Sequence, residues 1–307
     1  MQWGLVATIK APTTATLNFV AHHLELGAHR IYVYLDEPDP ATFALLKSHP
    51  KVRVTTCDDA YWSKHPRRPK KHQVRQSSNA THAYGRAEVD WLAHIDVDEF
   101  LCSDAPIIDQ LAALPDKSHC ARLYPAEALA GDGSAFKLTH RTRAERAACV
   151  ERLYPTYGRY LDGGFLSHVE GKLFVRTGLS DVTLRIHNVF QGEIKNPGER
   201  SLDQITLCHC HAQNWDAFIA AYRFRLERGS YRADLAPMRP ATDKGVTLHA
   251  LLMSIDQRNG ADGLRRFYDE LFADTPDHRQ RLQDEGLLYR CDLQLARSRR
   301  KQFPDFS

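Results

Sequence analysis

The feature that most constrains this chain is the alternation of strand and helix patterns in its N-terminal third. Short strands are predicted at residues 5–9, 31–35, 52–56 and 91–95, and the first two are apolar runs typical of buried strands. Segments with apolar residues three and four apart lie between them, as amphipathic helices require. Repeated strand–helix–strand units build a mostly parallel sheet with right-handed crossovers. The sequence therefore predicts an α/β fold with a Rossmann-type sheet flanked by helices.

The rest of the chain continues the sheet and then becomes helical. Further strands are predicted at residues 121–124, 172–176, 182–187 and 205–211, and helices at 107–114, 215–228, 245–257 and 261–272. In the first helix, the threonines after Pro12 are candidates for the N-cap, and Gly27 is a candidate for the C-terminal end. We expect residues 1–212 to form the sheet domain and residues 213–307 to form a helical extension packed on the same domain.

The composition is that of a soluble enzyme and argues against several other classes. A net charge of +3 on 307 residues is too small to indicate binding to nucleic acid. No apolar run reaches the roughly 18 residues needed to cross a bilayer. The N-terminus lacks the basic start and apolar centre of a signal peptide. Seven cysteines at irregular spacing favour reduced thiols, so we expect a cytoplasmic protein.

Acidic residues cluster where the predicted strands end. Asp36 follows the second strand, Asp58 and Asp59 follow the third, and Asp96 and Asp98 follow the fourth. Ligands of parallel α/β sheets bind beyond the carboxyl ends of the strands. The sequence therefore predicts a binding site at this edge of the sheet.

The segment Asp96-Val97-Asp98 predicts a metal site. In an extended segment residues two apart face the same way, so both carboxylates would point outward together while Val97 turns inward. Two neighbouring carboxylates repel each other unless a cation lies between them. Mg²⁺ and Mn²⁺ favour oxygen ligands and leave coordination positions for phosphate oxygens.

Two strings give the chain a family resemblance. WLAHIDVDEFL at residues 91–101 and KAPTTATLNFVAHHLELGAHRIYVYLDEPDP at residues 10–40 resemble glycosyltransferases of family 2 and the related family 92. The resemblance covers residues 5–101 well and continues more loosely through segments 171–176, 186–188 and 209–211. It implies a GT-A fold and a nucleotide-diphosphate sugar, most naturally a UDP-sugar, as the donor. It also implies that the acceptor is a hydroxyl group on a glycan, a lipid-linked substrate or a protein, as in polysaccharide biosynthesis.

The resemblance also implies roles for residues at the strand ends. The nucleotide pocket would be lined by Thr8, Ile9, Lys10 and Ala11. Asp36 would lie beside the base or ribose, and Asp58 or Asp59 would receive the uracil edge, although capping of a loop explains each of these residues equally well. Arg75 and Gln76 would reach the diphosphate, where a cation offsets the donor's charge.

Two histidines are candidates for completing the metal site. His187 ends a predicted strand and is the candidate third ligand or leaving-group contact, with a hydrogen-bonded core histidine as the alternative. In Cys208-His209-Cys210-His211, strand alternation places the cysteines on one face and the histidines on the other, which argues against a tetrahedral zinc site. His211, nearer the strand end, is the better candidate of that pair.

An inverting transfer needs a general base for the acceptor hydroxyl. The candidates lie in the glycine-rich stretch LDGGFLSHVEG at residues 161–171, and they are Asp162, His168 and Glu170, with Asp162 preferred. This stretch departs from the family 2 pattern, because it has no clear Glu-Asp pair.

Other functions share parts of this pattern. Phosphatases of the haloacid dehalogenase type place Asp-x-Asp after the first strand, whereas here it follows the fourth. Sugar nucleotidyltransferases have a glycine-rich loop where this chain has Lys10-Ala11-Pro12. A third possibility, a non-catalytic sugar- or nucleotide-binding relative of the same fold, stays open, although retention of both Asp96 and Asp98 counts against it.

The basic C-terminus, with Arg297, Arg299, Arg300 and Lys301, is a candidate for peripheral contact with the inner face of a membrane.

Overall fold

The structure is a computed structural model, and it describes residues 1–167, 169–227 and 246–306. The described chain forms two compact units. The first, here called unit 1, comprises residues 1–124, 170–207 and 293–307, and the second, unit 2, comprises residues 125–169 and 208–292. The expected domains 1–212 and 213–307 stay a prediction.

Thirteen strands occur in the described residues. They are β1 (Trp3–Ile9), β2 (Arg30–Leu35), β3 (Val52–Thr56), β4 (Trp91–His94), β5 (Glu99–Cys102), β6 (Cys120–Ala128), β7 (Ala135–Lys137), β8 (Lys172–Arg176), β9 (Val182–Leu184), β10 (Val189–Gln191), β11 (Ile194–Lys195), β12 (Arg200–His209) and β13 (Leu288–Arg290).

Ten α-helices accompany these strands in the part of the chain that the structure describes. They are α1 (Thr13–Glu25), α2 (Pro40–Ser48), α3 (Asp59–Trp62), α4 (His72–Tyr84), α5 (Ile107–Ala112), α6 (Arg143–Leu153), α7 (Trp215–Glu227), α8 (Leu248–Phe272), α9 (Pro276–Asp284) and α10 (Leu295–Gln302).

Unit 1 contains the predicted parallel sheet. Strands β3, β2, β1 and β4 lie side by side in that order and run parallel. β8 continues the sheet antiparallel to β4, and the first residues of β6 pair antiparallel with β8. β1 and β2 are buried almost throughout, as strands covered on both faces must be. The predicted α/β fold, with a mostly parallel sheet flanked by helices, is confirmed.

The first helix differs from the prediction at its start. Pro12 occupies the N-cap position of α1, and no side chain caps the helix. The threonines that follow lie inside the helix because proline fixes a backbone angle suited to helix entry. Gly27 follows the helix with a φ of +95°, a left-handed conformation that glycine adopts without steric cost, as predicted.

Unit 2 combines antiparallel strands with helices. The end of β6 pairs with β7, and β7 pairs with β13. The helices α6 to α9 pack around an apolar core that includes Leu252, Phe267 and Phe272. The two helices predicted at residues 245–257 and 261–272 form one element, α8, which is broken at Gly260 by a non-helical backbone with φ 55°.

Two expectations from composition can be compared with the structure. Among the described residues, no helix is both long and apolar enough to cross a membrane. The free thiols are those of Cys57, Cys120, Cys149, Cys208 and Cys210. Cys102 and Cys291 each take part in a disulfide, so the expectation of reduced thiols is wrong for these two.

Candidate functional site

Asp96 lies just beyond the carboxyl end of β4, and both of its carboxylate oxygens accept hydrogen bonds. Gln76, on α4, donates its side-chain N–H to Oδ1. Lys172, the first residue of β8, places Nζ 2.7 Å from Oδ2. Gln76 and the cation of Lys172 therefore both contact Asp96, and the expected contact of Gln76 with a diphosphate stays a prediction.

Lys172 is a charged side chain inside the fold. It is 1% exposed, and its Nζ also lies 3.4 Å from Oε2 of Glu99. Burial alone would lower the pKa of the ammonium group, but the charges of Asp96 and Glu99 outweigh burial and raise that pKa. Lys172 is therefore protonated at neutral pH and neutralises part of the acidic cluster.

The segment Asp96–Glu99 is a turn and not an extension of the strand. The strand ends at His94, and the Glu99 N–H donates to the Asp96 carbonyl oxygen at 3.0 Å. The Asp96 N–H in turn donates to Oε2 of Glu99 at 2.7 Å. The expected alternation of Asp96, Val97 and Asp98 is therefore wrong. All three residues are half-buried, and Val97 is not turned into the core.

Asp36 is buried and bound by arginines. Arg75 donates Nε and Nη2 to the two carboxylate oxygens at 2.7 and 2.6 Å, and Arg68 donates to the Asp36 carbonyl oxygen at 2.8 Å. Burial alone would raise the pKa of Asp36, but the hydrogen bonds and charge of Arg75 outweigh it and lower that pKa. Nη1 of Arg75 binds the carbonyl oxygens of Pro69 and Lys70. This arginine thus fastens the basic loop, residues 63–71, to the end of β2.

The remaining predicted donor residues have ordinary structural contacts. Thr8 and Ile9 are buried in β1, and the Thr8 hydroxyl accepts a hydrogen bond from Asn79 at 3.0 Å. Ala11 is half-buried. Lys10 is exposed and pairs with Glu37 at 2.6 Å.

Asp58 caps α3 by accepting the Tyr61 N–H at 2.8 Å, and Asp59 is exposed in the first turn of that helix. Their contacts with a donor stay predictions.

His187 lies beside the start of β8. Its Nδ1 is 2.8 Å from the Gly171 carbonyl oxygen, which can only accept a hydrogen bond, so Nδ1 carries the proton. A neutral imidazole with its proton on Nδ1 is the form in which a histidine binds a metal through Nε2. The neighbouring Lys172 binds Asp96, so His187 and Asp96 contact consecutive residues of one segment.

His211 belongs to unit 2. Its Nε2 lies 3.9 Å from Oε1 of Glu127, a carboxylate with no exposure that also pairs with Lys137 at 3.2 Å. Burial lowers the pKa of Lys137, although Glu127 opposes this shift. The role of His211 as a metal ligand stays a prediction.

The three candidate bases have different surroundings. Asp162 is bound by Arg146, with Nε 2.6 Å from Oδ1 and Nη2 3.1 Å from Oδ2. Glu170 is exposed, and its carbonyl oxygen accepts a hydrogen bond from Arg122 at 2.8 Å. His168 lies outside the described residues. Gly164 is required by packing, because a Cβ there would lie 2.0 Å from a ring carbon of Tyr154.

The sequence analysis missed three residues around Asp96. Lys172 and Glu99 contact it directly, and His94, two residues before it, is buried. Burial, followed by the charge of Lys172, lowers the pKa of His94 to about 4, so its ring is neutral at pH 7. The signal that was overlooked is a lysine at the start of a strand whose other residues are mostly apolar, since a buried lysine requires a carboxylate partner.

The parallel sheet with acidic residues at its strand ends places the fold in the Rossmann-type, GT-A-like class. Within it, residues 11–116 match the family model "Glycosyltransferase family 92". The match covers the first helix, the basic loop, α4 and the segment from Asp96 to Glu99. The resemblance to family 92 inferred from the sequence is confirmed for this segment. A comparison with curated proteins found no match.

Solved structures show more distant similarity. A mycobacterial protein is 15% identical, with a TM-score of 0.35 over 60% of this chain and 57% of its own. HddC from Yersinia pseudotuberculosis is 13% identical, with a TM-score of 0.29 over 41% of this chain and 59% of its own. TarS of S. aureus is 13% identical, with a TM-score of 0.26 over 42% of this chain and 22% of its own. The chain thus spans less than two thirds of each of these proteins.

Proposed function

We propose that this protein is a glycosyltransferase that moves a sugar from a nucleotide-diphosphate donor, a UDP-sugar, to a hydroxyl acceptor. The observation that carries the proposal is the position of Asp96 at the end of β4, held by Gln76 and Lys172, inside the segment that matches family 92. Ligands of such sheets bind at this edge. The acceptor class, whether glycan, lipid-linked or protein, is part of the same proposal.

We further propose that Mn²⁺ or Mg²⁺ assists donor binding, with Asp96 and Asp98 as oxygen ligands and His187 as the nitrogen ligand. These residue types fit a hard divalent cation, and the tautomer of His187 fits coordination through Nε2. When bound, the cation would supply positive charge to the donor's diphosphate. His211 is a less supported ligand, because its Nε2 lies near Glu127, which is buried and paired with Lys137.

A thermal-shift screen of nucleotide sugars, with Mn²⁺ and with a chelator, tests the donor and the metal together. A ligand that binds only the folded state at about 100 times its Kd adds roughly 2.7 kcal/mol of stability. We expect a UDP-sugar to raise the Tm only when Mn²⁺ is present, and Asp98→Asn to abolish that shift. Asp116→Asn, at an exposed position before β6, is the matched control. Full turnover by Asp98→Asn in the presence of chelator would contradict the metal proposal.

Product-release assays with the same nucleotide sugars separate the competing functions. A non-catalytic relative would bind the donor and never release nucleotide diphosphate, with or without acceptors. A phosphatase of the haloacid dehalogenase type would release inorganic phosphate from phosphate esters, and Asp98→Asn would abolish that release. Release of nucleotide diphosphate that depends on an acceptor is the result that supports sugar transfer.

For the chemical step we propose inverting transfer with a carboxylate base. The two described candidates are Asp162, whose two oxygens are bound by Arg146, and Glu170, which is exposed. Loss of the base should lower transfer by roughly 10²–10⁴-fold while donor binding persists. Glu170→Gln and Asp162→Asn, measured in parallel, identify the base. If both transfer sugar at the wild-type rate, neither residue is the base.

A peripheral membrane contact through the basic C-terminus is a separate part of the proposal. Lys301 pairs with Glu25 at 2.6 Å, and Arg299 donates to Asn18 at 2.7 Å, so two of the four cations are engaged by α1. Co-sedimentation with vesicles that contain anionic lipid tests it, with neutral vesicles as the control. Equal sedimentation with both would exclude an electrostatic contact.

A further inference from the structure

We propose that unit 2 contains a zinc site formed by His140, Cys149 and Glu285. One ligand atom from each of these residues lies within 4.8 Å of the other two. Nitrogen, sulfur and carboxylate oxygen are the donor types that Zn²⁺ takes, usually in tetrahedral geometry, and three protein ligands leave the fourth position for water. His140 and Cys149 are nine residues apart, whereas Glu285 is more than 130 residues further along the chain, so the fold brings it to the other two.

Backbone pairing places two of the ligands side by side. The Leu138 N–H donates to the Leu287 carbonyl oxygen at 2.8 Å, and Lys137 pairs with Leu288 where β7 meets β13. The segment that leads to His140 therefore runs beside the segment that follows Glu285. This pairing fixes the two segments before any metal binds.

Hydrogen bonds from α6 hold the site from its other side. Arg146 donates to the His140 carbonyl oxygen at 3.1 Å, which ties the loop before the helix to the helix itself. Six residues further along α6, Arg152 donates to Oε1 of Glu285 at 2.8 Å. Carboxylates that bind metals are commonly hydrogen-bonded in this way by a neighbouring residue. Arg152 is therefore compatible with coordination through Glu285.

Cys149 determines which metal the site prefers. Its side chain is buried, and its thiol donates only weakly to the Arg146 carbonyl oxygen at 3.6 Å. The Cys149 thiol must lose its proton to coordinate a metal. Metal binding would release that proton to solvent and form the thiolate–metal bond. Thiolate selects Zn²⁺ over Mg²⁺ and Mn²⁺, so this site differs in kind from the one proposed at Asp96.

Zinc retention and cobalt spectroscopy on the full chain test the site. We expect the wild type to keep a single equivalent of Zn²⁺ after dialysis against a weak chelator. Co²⁺ in its place should give the near-ultraviolet charge-transfer absorption of a thiolate ligand. Cys149→Ser should remove that absorption and weaken Zn²⁺ binding by more than about 100-fold, since even loss of an outer hydrogen bond costs 10–100-fold.

Two further variants complete the test. Cys57→Ser removes another buried free thiol, from unit 1, and should change neither the retention nor the absorption. Glu285→Gln should weaken Zn²⁺ binding while the thiolate absorption persists, and it keeps the test decisive if Cys149→Ser does not fold. The proposal is overturned if the wild type retains no zinc, or if Zn²⁺ binds Glu285→Gln as tightly as the wild type.

Discussion

Replacing Lys172 by Met tests the electrostatic interpretation of the candidate site most directly. The methionine keeps an unbranched apolar stem of similar length and removes the ammonium group that lies 2.7 Å from Asp96 and 3.4 Å from Glu99. These two carboxylates would then share a confined space without a cation. The variant therefore isolates the charge of Lys172 from its packing.

The expected loss of stability follows from burial. Breaking a buried ion pair by removing one partner costs about 3–5 kcal/mol, because a buried charge is left without compensation. Glu99 is 6% exposed, but the Asp96 side chain is 30% exposed and can be partly resolvated. We therefore expect Lys172→Met to lower the free energy of unfolding by about 2–4 kcal/mol. Mn²⁺ should restore part of this loss, since a divalent cation replaces the missing charge.

Urea unfolding in Mn²⁺ and in chelator measures both effects. Lys301→Met is the matched control, because Lys301 makes an ion pair of 2.6 Å with Glu25 but is 68% exposed. An exposed pair of this kind contributes about 0–1 kcal/mol. If Lys172→Met is no less stable than Lys301→Met, the buried pair is not a stabilising charge interaction. If Mn²⁺ stabilises wild type and Lys172→Met equally, the cation does not bind near Asp96 and Glu99.

Three further predictions concern other parts of the chain. Burial lowers the pKa of His278 from 6.5 to about 4, so the unfolded state binds a proton at a higher pH than the folded state does. The free energy of unfolding should therefore fall by about 3 kcal/mol as the pH drops from 6.5 to 4. His278→Gln should reduce this loss in urea titrations at different pH values, and an unchanged pH dependence would show that His278 does not cause it. Arg75→Ala should cost about 3 kcal/mol in urea unfolding, because it leaves the buried Asp36 carboxylate without its bidentate partner, and Arg75→Lys should recover only part of the loss. Gly164→Ala should lower the free energy of unfolding by about 3 kcal/mol or more, since its Cβ would lie 2.0 Å from a ring carbon of Tyr154. Gly178 has a similar φ with open space around it, so Gly178→Ala should cost only about 1–2 kcal/mol. Equal losses of stability in the two variants would refute the packing argument.

The parallel core of unit 1 was predictable mainly from its most apolar strands, β1 and β2. β3 and β8 have the predicted bounds, 52–56 and 172–176, and β2 differs by one residue. A run such as IYVYL at residues 31–35 can be buried only in a sheet that is covered on both faces. Once the strands are located, the sequence also shows which acidic residues follow them, including Asp96 after β4.

The geometry of the site was less predictable because it depends on contacts between distant residues. Alternation in an extended segment assigned Asp96 and Asp98 to one face, but the Glu99 side chain accepts the Asp96 N–H and the chain turns there. Lys172 is 76 residues away from Asp96 along the chain. Period and spacing describe one segment at a time, so they cannot show that a lysine from β8 reaches the end of β4.

The glycine-rich stretch shows why a local signal can have two causes. The sequence places the candidate bases in the stretch that contains Gly163 and Gly164. In the structure both have positive φ, and a Cβ at either would overlap neighbouring side chains of unit 2. Glycine is required there by close packing, and Asp162, just before them, is held by Arg146. The glycines thus supply no argument for a base at Asp162, and the decision between Asp162 and Glu170 rests on which variant binds donor without transferring its sugar.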